Sequence, residues 1–172
     1  GIEAEVTAKD PKRSFRSMLR VSKHLGYIPV MREQKDVLKL AIVRYPPVKP
    51  GRIWVNFLLF GLTIMTTFAA GYFFIFGNVF HAALFSSAII VMLATHEMGH
   101  KAAAWRNGIN TTMPYFIPFP NYLGTFGAVI NIKSPIPTKE ALVEMGAVGP
   151  LAGFAMALPL TFLGLMLSKP AP

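Results

Sequence analysis

The sequence has no cysteine among its 172 residues and few charged residues, which make up 15% of the chain. The missing cysteines exclude both a disulfide framework and a thiolate metal site. Hydrophobic residues make up 53% of the chain, and its mean hydropathy is +0.46. This composition predicts a mainly α-helical, integral, multi-pass membrane protein that has room for one small soluble domain.

Acidic residues are scarce, with 8 Asp or Glu against 17 Lys or Arg, and no aspartate follows Asp36. The first 52 residues contain 12 of the basic side chains and 5 of the acidic ones. A basic segment beside a membrane span is typical of the cytoplasmic side, where it faces anionic lipid. We therefore expect the lipid bilayer as a partner. We expect no nucleic-acid partner, because the basic residues are spread out and match no nucleic-acid-binding motif.

Residues 1–45 have the pattern of a small, basic α+β domain. A short alternating strand near the N-terminus precedes a helix that ends near Gly26. Two further strands, Tyr27–Met31 and Val37–Tyr45, flank a polar turn. The predicted order is β-α-β-β. A linker at 46–54 follows, because its three prolines cannot continue a helix.

The remaining residues, 55–172, contain three long apolar segments, at about 55–76, 80–104 and 146–167. Each segment is long enough to cross the hydrocarbon core of about 30 Å as a helix. Lysine and arginine flank the same side of these predicted spans. The positive-inside rule therefore places the N-terminal domain and the loop at 105–145 on the cytoplasmic or stromal side.

The loop at 105–145 is too long and too apolar for an ordinary linker. Its prolines at 114, 118 and 120 predict an irregular stretch at the membrane interface or in a re-entrant position. The following segment, Gly124–Lys133, is rich in β-forming residues and predicts a strand with an open edge. Such an edge binds an extended peptide by strand addition. A hairpin that only plugs the helix bundle fits the same residues equally well.

The second apolar segment contains the motif His96-Glu97-Met98-Gly99-His100. On a helix, this spacing brings both imidazoles to one face, where they can bind a single Zn²⁺ ion with Glu97 beside it as a general base. Ionisable residues at membrane depth are costly and by default mark a functional site. The alternative is a hydrogen-bonded core position, which fits a lone histidine better than these three residues together.

Two short patterns lie near the third apolar segment. Gly149 and Gly153 form a small-xxx-small pair, which favours close helix packing. Glu140 and Glu144 precede this pair and fit a solvated helix start. The alternative is that one of these two carboxylates turns toward the metal.

Three motifs in this order resemble the site-two proteases, a family of intramembrane zinc metalloproteases. They are the His96–His100 motif within a span, the loop sequence Leu123–Ala128 (LGTFGA), and Gly149–Gly153 (GPLAG). Residues 114–135 are especially similar to the archaeal, cyanobacterial and plastid branch of the family. The resemblance covers about residues 50–170 and implies the N-terminal part of that family's membrane core, with a re-entrant strand or hairpin between the second and third spans.

The resemblance implies a zinc cofactor bound by His96 and His100, with Glu97 as the catalytic base. The implied activity is cleavage of a transmembrane protein in or near its membrane segment. The resemblance also implies that the loop strand lies close to the substrate. The candidate substrate-binding residues are therefore Gly124, Thr125, Phe126, Gly127 and Ala128.

One residue that the family would supply is missing from this sequence. The third zinc ligand of the family is an aspartate in a later span, whereas no aspartate follows Asp36 here. We therefore expect a truncated core that is inactive alone. Two alternatives stay open: a non-catalytic relative that binds transmembrane segments, and a membrane protein that handles metal ions. A protein that handles metal ions would have further polar residues in its spans. The first span contains only Asn56, Thr63, Thr66 and Thr67.

Overall fold

The chain folds into two compact units, of which the first ends at Lys49 and the second begins at Pro50. The computed structural model describes residues 2–5, 11–34, 37–44 and 51–168. Most of the predicted linker, at 46–50, lies outside the described residues. Its predicted last two residues, Ile53 and Trp54, belong instead to the first long helix. Both are apolar and follow the last proline of the linker, so nothing prevents them from being helical.

The N-terminal unit is a three-stranded antiparallel sheet with one helix. Its elements are β1 (Ile2–Glu5), α1 (Pro11–His24), β2 (Tyr27–Gln34) and β3 (Val37–Arg44). They follow the predicted order, and β3 lies between β1 and β2. Phe15 of α1 and Leu40 of β3 are buried. Arg32, predicted to lie in a polar turn, belongs instead to β2, because the backbone pairing of β2 with β3 continues through Arg32 and Lys39.

The second unit contains three long helices, which confirms the prediction of three segments able to span a membrane. The first, α2 (Ile53–Ala70), continues into a π-helical turn at Gly71–Phe76, and α3 (Val79–Arg106) and α4 (Lys139–Leu167) follow. All three are long and apolar enough to cross a bilayer. They make the chain a mainly helical, integral membrane protein.

The helix α4 begins at Lys139 rather than at the predicted position 146. Thr138 caps it, because its Oγ1 accepts a hydrogen bond from the N–H of Ala141 at 3.1 Å. Hydropathy locates only the part of a helix that crosses the membrane. The polar turns before it are the helix start that Glu140 and Glu144 indicated. Because α3 also extends to Arg106, the loop between the two helices is shorter than the predicted 105–145 and covers 107–138.

A two-stranded antiparallel hairpin fills the middle of this loop. Its strands are β4 (Tyr115–Pro118) and β5 (Thr125–Val129). The predicted strand within Gly124–Lys133 is therefore present over its first half. The irregular stretch predicted around the prolines is wrong for β4. Pro118 is the last residue of that strand, where a missing N–H disturbs the ladder least.

The hairpin lies along α2. The ring of Phe116, in β4, packs edge-on against Phe60, with 5.0 Å between the ring centroids. Near the hairpin tip, Tyr122 packs in the same way against Phe74, at 5.4 Å. Because Phe60 lies two turns into α2 and Phe74 lies in the π-helical turn that follows it, the hairpin follows α2 from Phe60 onward.

Candidate metal centre

Two imidazole nitrogens converge where α3 packs against α4. His96 and His100 lie about one turn apart on α3, and their Nε2 atoms are 3.1 Å from each other. The two ring planes are inclined at 76°. Two nitrogens bound to one tetrahedral zinc ion lie about 3.3 Å apart. The pair therefore fits two neighbouring positions in a zinc coordination shell.

The backbone of α4 orients His100. The Nδ1 atom of this ring lies 2.5 Å from the carbonyl oxygen of Met145. Because a carbonyl oxygen only accepts hydrogen bonds, Nδ1 is the protonated nitrogen and donates. In the neutral ring, Nε2 then presents its lone pair toward His96 and is free to bind a metal ion. This contact could not be predicted from the sequence, since a backbone carbonyl has no residue-type signature.

Gly149 and Gly153 leave the space that the two imidazoles occupy. A Cβ atom on Gly149 would overlap the ring of His100, and a Cβ atom on Gly153 would lie 3.1 Å from Nδ1 of His96. On the facing helix, a Cβ atom on Gly99 would lie 2.8 Å from the carbonyl oxygen of Val148. These three glycines therefore allow the close approach of α3 and α4 at the histidine pair.

Glu97 lies in the same cavity as the two histidines. Its side chain is only 5% exposed. The cavity has a volume of about 400 Å³, and its other walls come from α4, including Met145 and Gly146, and from the loop. A carboxylate beside two imidazoles in a mainly apolar cavity suits proton transfer to and from a reacting group.

Of the five candidate substrate-binding residues, Ala128 lines this cavity. The loop residues next to it in sequence also contribute to the wall, although the sequence motif did not single them out. They are Val129, Ile130 and Ile132. The signal that could have identified them is their apolar, β-branched character within the predicted strand.

The other four candidates lie farther along the hairpin. Thr125 is buried, and its Oγ1 donates a hydrogen bond to the carbonyl oxygen of Ile117 at 2.9 Å. Gly124 packs against the backbone of α2. Phe126 is exposed and stacks on Phe119 with 3.9 Å between the ring centroids. Gly127 has a positive φ of 103° within β5. These four residues shape the hairpin, while Ala128 lines the cavity that contains the histidines.

No third metal-binding side chain joins the histidines within residues 2–5, 11–34, 37–44 and 51–168. Glu144, considered above as a ligand, instead binds the C-terminal end of α3. Its Oε2 accepts a hydrogen bond from Asn107 at 2.8 Å, and its Oε1 lies 3.3 Å from Nη1 of Arg106. Of the two carboxylates in that alternative, Glu144 therefore does not turn toward the metal.

The threonines of α2 bond within the helix pair rather than lining a path for ions. Thr63 and Thr67 each donate to a carbonyl oxygen one turn earlier, at 2.8 Å. The Oγ1 atom of Thr67 also lies 2.6 Å from Oγ of Ser86 on α3. Because these hydroxyls are already used in helix packing, they give little support to a protein that conducts metal ions.

Residues 84–170, half of the chain, match the model of peptidase family M50. The matched region contains the histidine motif of α3 and the glycine pair of α4. The chain belongs to peptidase family M50. This is the site-two protease family, so the resemblance seen in the sequence is confirmed, including its similarity to plastid-type members.

Curated relatives of this M50 member are plant proteins. It is 38% identical over 82 residues to the probable zinc metalloprotease EGY1, chloroplastic, of Oryza sativa subsp. japonica. It is 39% identical over 87 residues to the probable zinc metalloprotease EGY2, chloroplastic, of Oryza sativa subsp. indica. It is 40% identical over 75 residues to the protein of the same description from Arabidopsis thaliana.

These three alignments cover 47%, 51% and 44% of the chain, in the same order. They cover 14%, 15% and 13% of the respective relatives. The M50 chain therefore matches about one seventh of the length of each plant relative. No solved structure matches it significantly.

Proposed function

We propose that this chain supplies the general base and two zinc ligands of an intramembrane zinc endopeptidase that cleaves transmembrane proteins. The 3.1 Å separation of the Nε2 atoms of His96 and His100, with Glu97 in the same cavity, carries the proposal. The helix that bears all three residues is long and apolar enough to cross a bilayer. Membership of a membrane metalloprotease family supports the same activity.

In this proposal, His96 and His100 hold zinc through their Nε2 atoms. When bound, zinc supplies Lewis-acid polarisation of the peptide carbonyl and lowers the pKa of water. Glu97 accepts the proton of the attacking water and returns it to the leaving amine. The Met145 carbonyl keeps the ring of His100 in its orientation. Catalytic zinc sites use three protein ligands, so a further ligand besides the two histidines is required.

We propose β5 as the element that binds the substrate. A transmembrane helix hides its peptide carbonyls in its own hydrogen bonds, so it must be extended locally before cleavage. Within the described residues, β5 pairs only with β4, and its other edge is open. Ala128 and Val129, at the end of β5, line the histidine cavity. An extended peptide that paired with this edge would pass next to Glu97.

We also propose that the hairpin is re-entrant. Its contacts with Phe60 and Phe74 follow α2. Phe74 lies about 30 Å along the helix from Trp54, at 1.5 Å per residue. The basic residues Lys101 and Arg106 lie at the end of α3 from which the loop starts. By the positive-inside rule, the hairpin therefore enters the membrane from the cytoplasmic or stromal side, and the N-terminal unit lies on that same side.

The test compares Glu97→Gln with His100→Ala in the complete protein, reconstituted in lipid vesicles with a transmembrane reporter substrate. Zinc content and cleavage rate are both measured. We expect Glu97→Gln to keep its zinc while cleavage falls at least about a hundredfold, because it loses only the base. We expect His100→Ala to lose both zinc and cleavage. Met98→Leu, on the exposed side of the same helix turn, is the control that changes neither.

Two outcomes would contradict the proposal. Cleavage by Glu97→Gln at the rate of the unchanged protein would exclude Glu97 as the base. A complete protein that binds reporter segments but cleaves none, with or without added zinc, would instead support the non-catalytic alternative.

A further inference from the structure

Side chains from two membrane helices bind three consecutive backbone carbonyls just before β4. On α3, Nζ of Lys101 donates a hydrogen bond to the carbonyl oxygen of Thr112 at 3.1 Å and lies 3.3 Å from Sδ of Met113. On α2, Nδ2 of Asn56 donates to the carbonyl oxygens of Met113 at 3.1 Å and Pro114 at 2.9 Å. We call Asn56 and Lys101 together the hairpin clamp.

The hairpin clamp differs from the other polar contacts of α2. The threonine hydroxyls of that helix donate to carbonyls of their own helix, as hydroxyls commonly do in membrane helices. The amide of Asn56 instead donates both of its hydrogen bonds to the loop. Lys101 likewise directs its ammonium group to a loop carbonyl. A polar side chain on a membrane helix is costly unless it has a hydrogen-bond partner. Because the partners of Asn56 and Lys101 are loop carbonyls, the clamp holds the loop against both helices.

The clamp is connected to the metal centre through short covalent and hydrogen-bonded links. Lys101 directly follows His100 in α3. Thr112, which Lys101 binds, pairs with Asn131 on the returning side of the loop. The N–H of Thr112 donates to the carbonyl oxygen of Asn131 at 2.9 Å, and the N–H of Asn131 donates to Oγ1 of Thr112 at 3.0 Å. The next residue, Ile132, lines the histidine cavity.

We infer that Asn56 and Lys101 are positioning residues that set the distance and register of the cavity-lining strand relative to the zinc-binding histidines. Neither residue is among those that line the cavity, and both direct their hydrogen bonds to the loop. The role in substrate binding rests on the function proposed above, whereas the anchoring of the hairpin does not. Without the clamp, the histidine pair keeps its contacts with α4 while the strand that faces it loses its fixed position.

The test uses variants that remove the donors but keep the shape of the side chains. Asn56→Leu removes the amide donors, and Lys101→Met removes the ammonium group while keeping the aliphatic stem. Lys101→Arg keeps a cationic donor and serves as the conservative replacement. Thr95→Val is the matched control, because Thr95 also lies on α3 but donates only to Val91 of its own helix.

Because the chain has no cysteine, a single nitroxide label can be attached through Val129→Cys, at an exposed position of β5. Its mobility is measured by electron paramagnetic resonance in lipid. In the complete protein without the label, zinc content is measured together with KM and kcat for a reporter substrate. We expect Asn56→Leu and Lys101→Met to increase label mobility clearly and to leave zinc content unchanged. KM should rise about tenfold while kcat changes by less than about twofold.

We expect Lys101→Arg to restore low mobility and Thr95→Val to have no effect. Unchanged mobility in the Asn56→Leu, Lys101→Met double variant would overturn the inference. Parallel loss of zinc, kcat and thermal stability would also overturn it, because it would indicate a role in folding only. If the complete protein cleaves no reporter, the proposed function fails, while the mobility measurement still decides whether the clamp anchors the hairpin.

Discussion

Gly149 lies directly against the imidazole of His100, so that a Cβ atom at position 149 would overlap the ring. Gly153, about one turn later, faces His96 in the same manner but with more space, because a Cβ atom there would lie 3.1 Å from the nearest ring atom. Together, these two glycines and the carbonyl group of Met145 determine the positions of both imidazole rings. The metal ligands are on α3, but α4 determines their orientation.

We predict that Gly149→Ala weakens zinc binding by at least about tenfold, since the new methyl group displaces the ring of His100. Gly153→Ala should have a smaller effect of the same kind. Alanine favours a helix over glycine by up to about 1 kcal/mol, so a loss of helix stability does not explain this result. The measurement is a competition titration of the complete protein against a chromophoric zinc chelator.

Gly164→Ala is the matched control for this series, because it lies in the same helix and its Cβ atom would meet nothing within 4 Å. Equal zinc affinities of Gly149→Ala and Gly164→Ala would show that the packing at His100 does not matter for the metal centre.

The elements that the sequence predicted well are those with a local or periodic signal. The spacing of His96 and His100 alone places two imidazoles on one helical face, and the structure brings their Nε2 atoms together. The three membrane-spanning segments follow from uninterrupted apolar runs. In both cases the information lies within one helix, so no knowledge of packing is needed.

The elements that the sequence did not predict depend on contacts between distant segments. The strand β4 exists because Tyr115 and its neighbours pair with β5 along α2, although the surrounding prolines indicate an irregular stretch. The role of Met145 depends on a backbone carbonyl, which any residue could supply. Asn56 was visible as a polar residue in an apolar segment, but its partners at Met113 and Pro114 are more than fifty residues away.

Two glycines of the hairpin offer a second comparison, because Gly124 and Gly127 both have a positive φ, of 78° and 103°. Alanine at either position incurs backbone strain of about 1–2 kcal/mol. Only at Gly124 would the new Cβ atom also collide with the backbone of Thr66 and Thr67 in α2, whereas at Gly127 it would meet nothing within 4 Å. We predict that Gly124→Ala lowers the free energy of unfolding by about 1–3 kcal/mol more than Gly127→Ala does.

Thermal unfolding of both variants in one detergent measures this difference. A lower midpoint for Gly124→Ala would reflect the collision with α2, because the backbone strain is common to both variants. Equal midpoints would mean that the hairpin tip does not pack on α2.

The depth of the hairpin in the membrane gives the last prediction. Gly124 packs against α2 near Thr67, about 20 Å along the helix from Trp54 at 1.5 Å per residue. A re-entrant hairpin therefore places the neighbouring residue Leu123, which is exposed, among lipid chains. A nitroxide attached through Leu123→Cys should be highly accessible to dissolved oxygen and poorly accessible to a water-soluble nickel chelate.

Two reference labels calibrate this measurement in the same cysteine-free chain. Met65, an exposed residue of α2 at the level of the hairpin tip, provides the lipid reference, and Asn131, exposed at the base of the hairpin, provides the aqueous one. We expect the label at position 123 to match the one at position 65. If it instead matched the label at position 131, the hairpin would lie in water and the re-entrant arrangement would be wrong. The open edge of β5 would then bind a soluble peptide rather than a transmembrane segment. Water can satisfy the backbone N–H and C=O groups of an exposed edge, so such an edge needs no partner within the membrane.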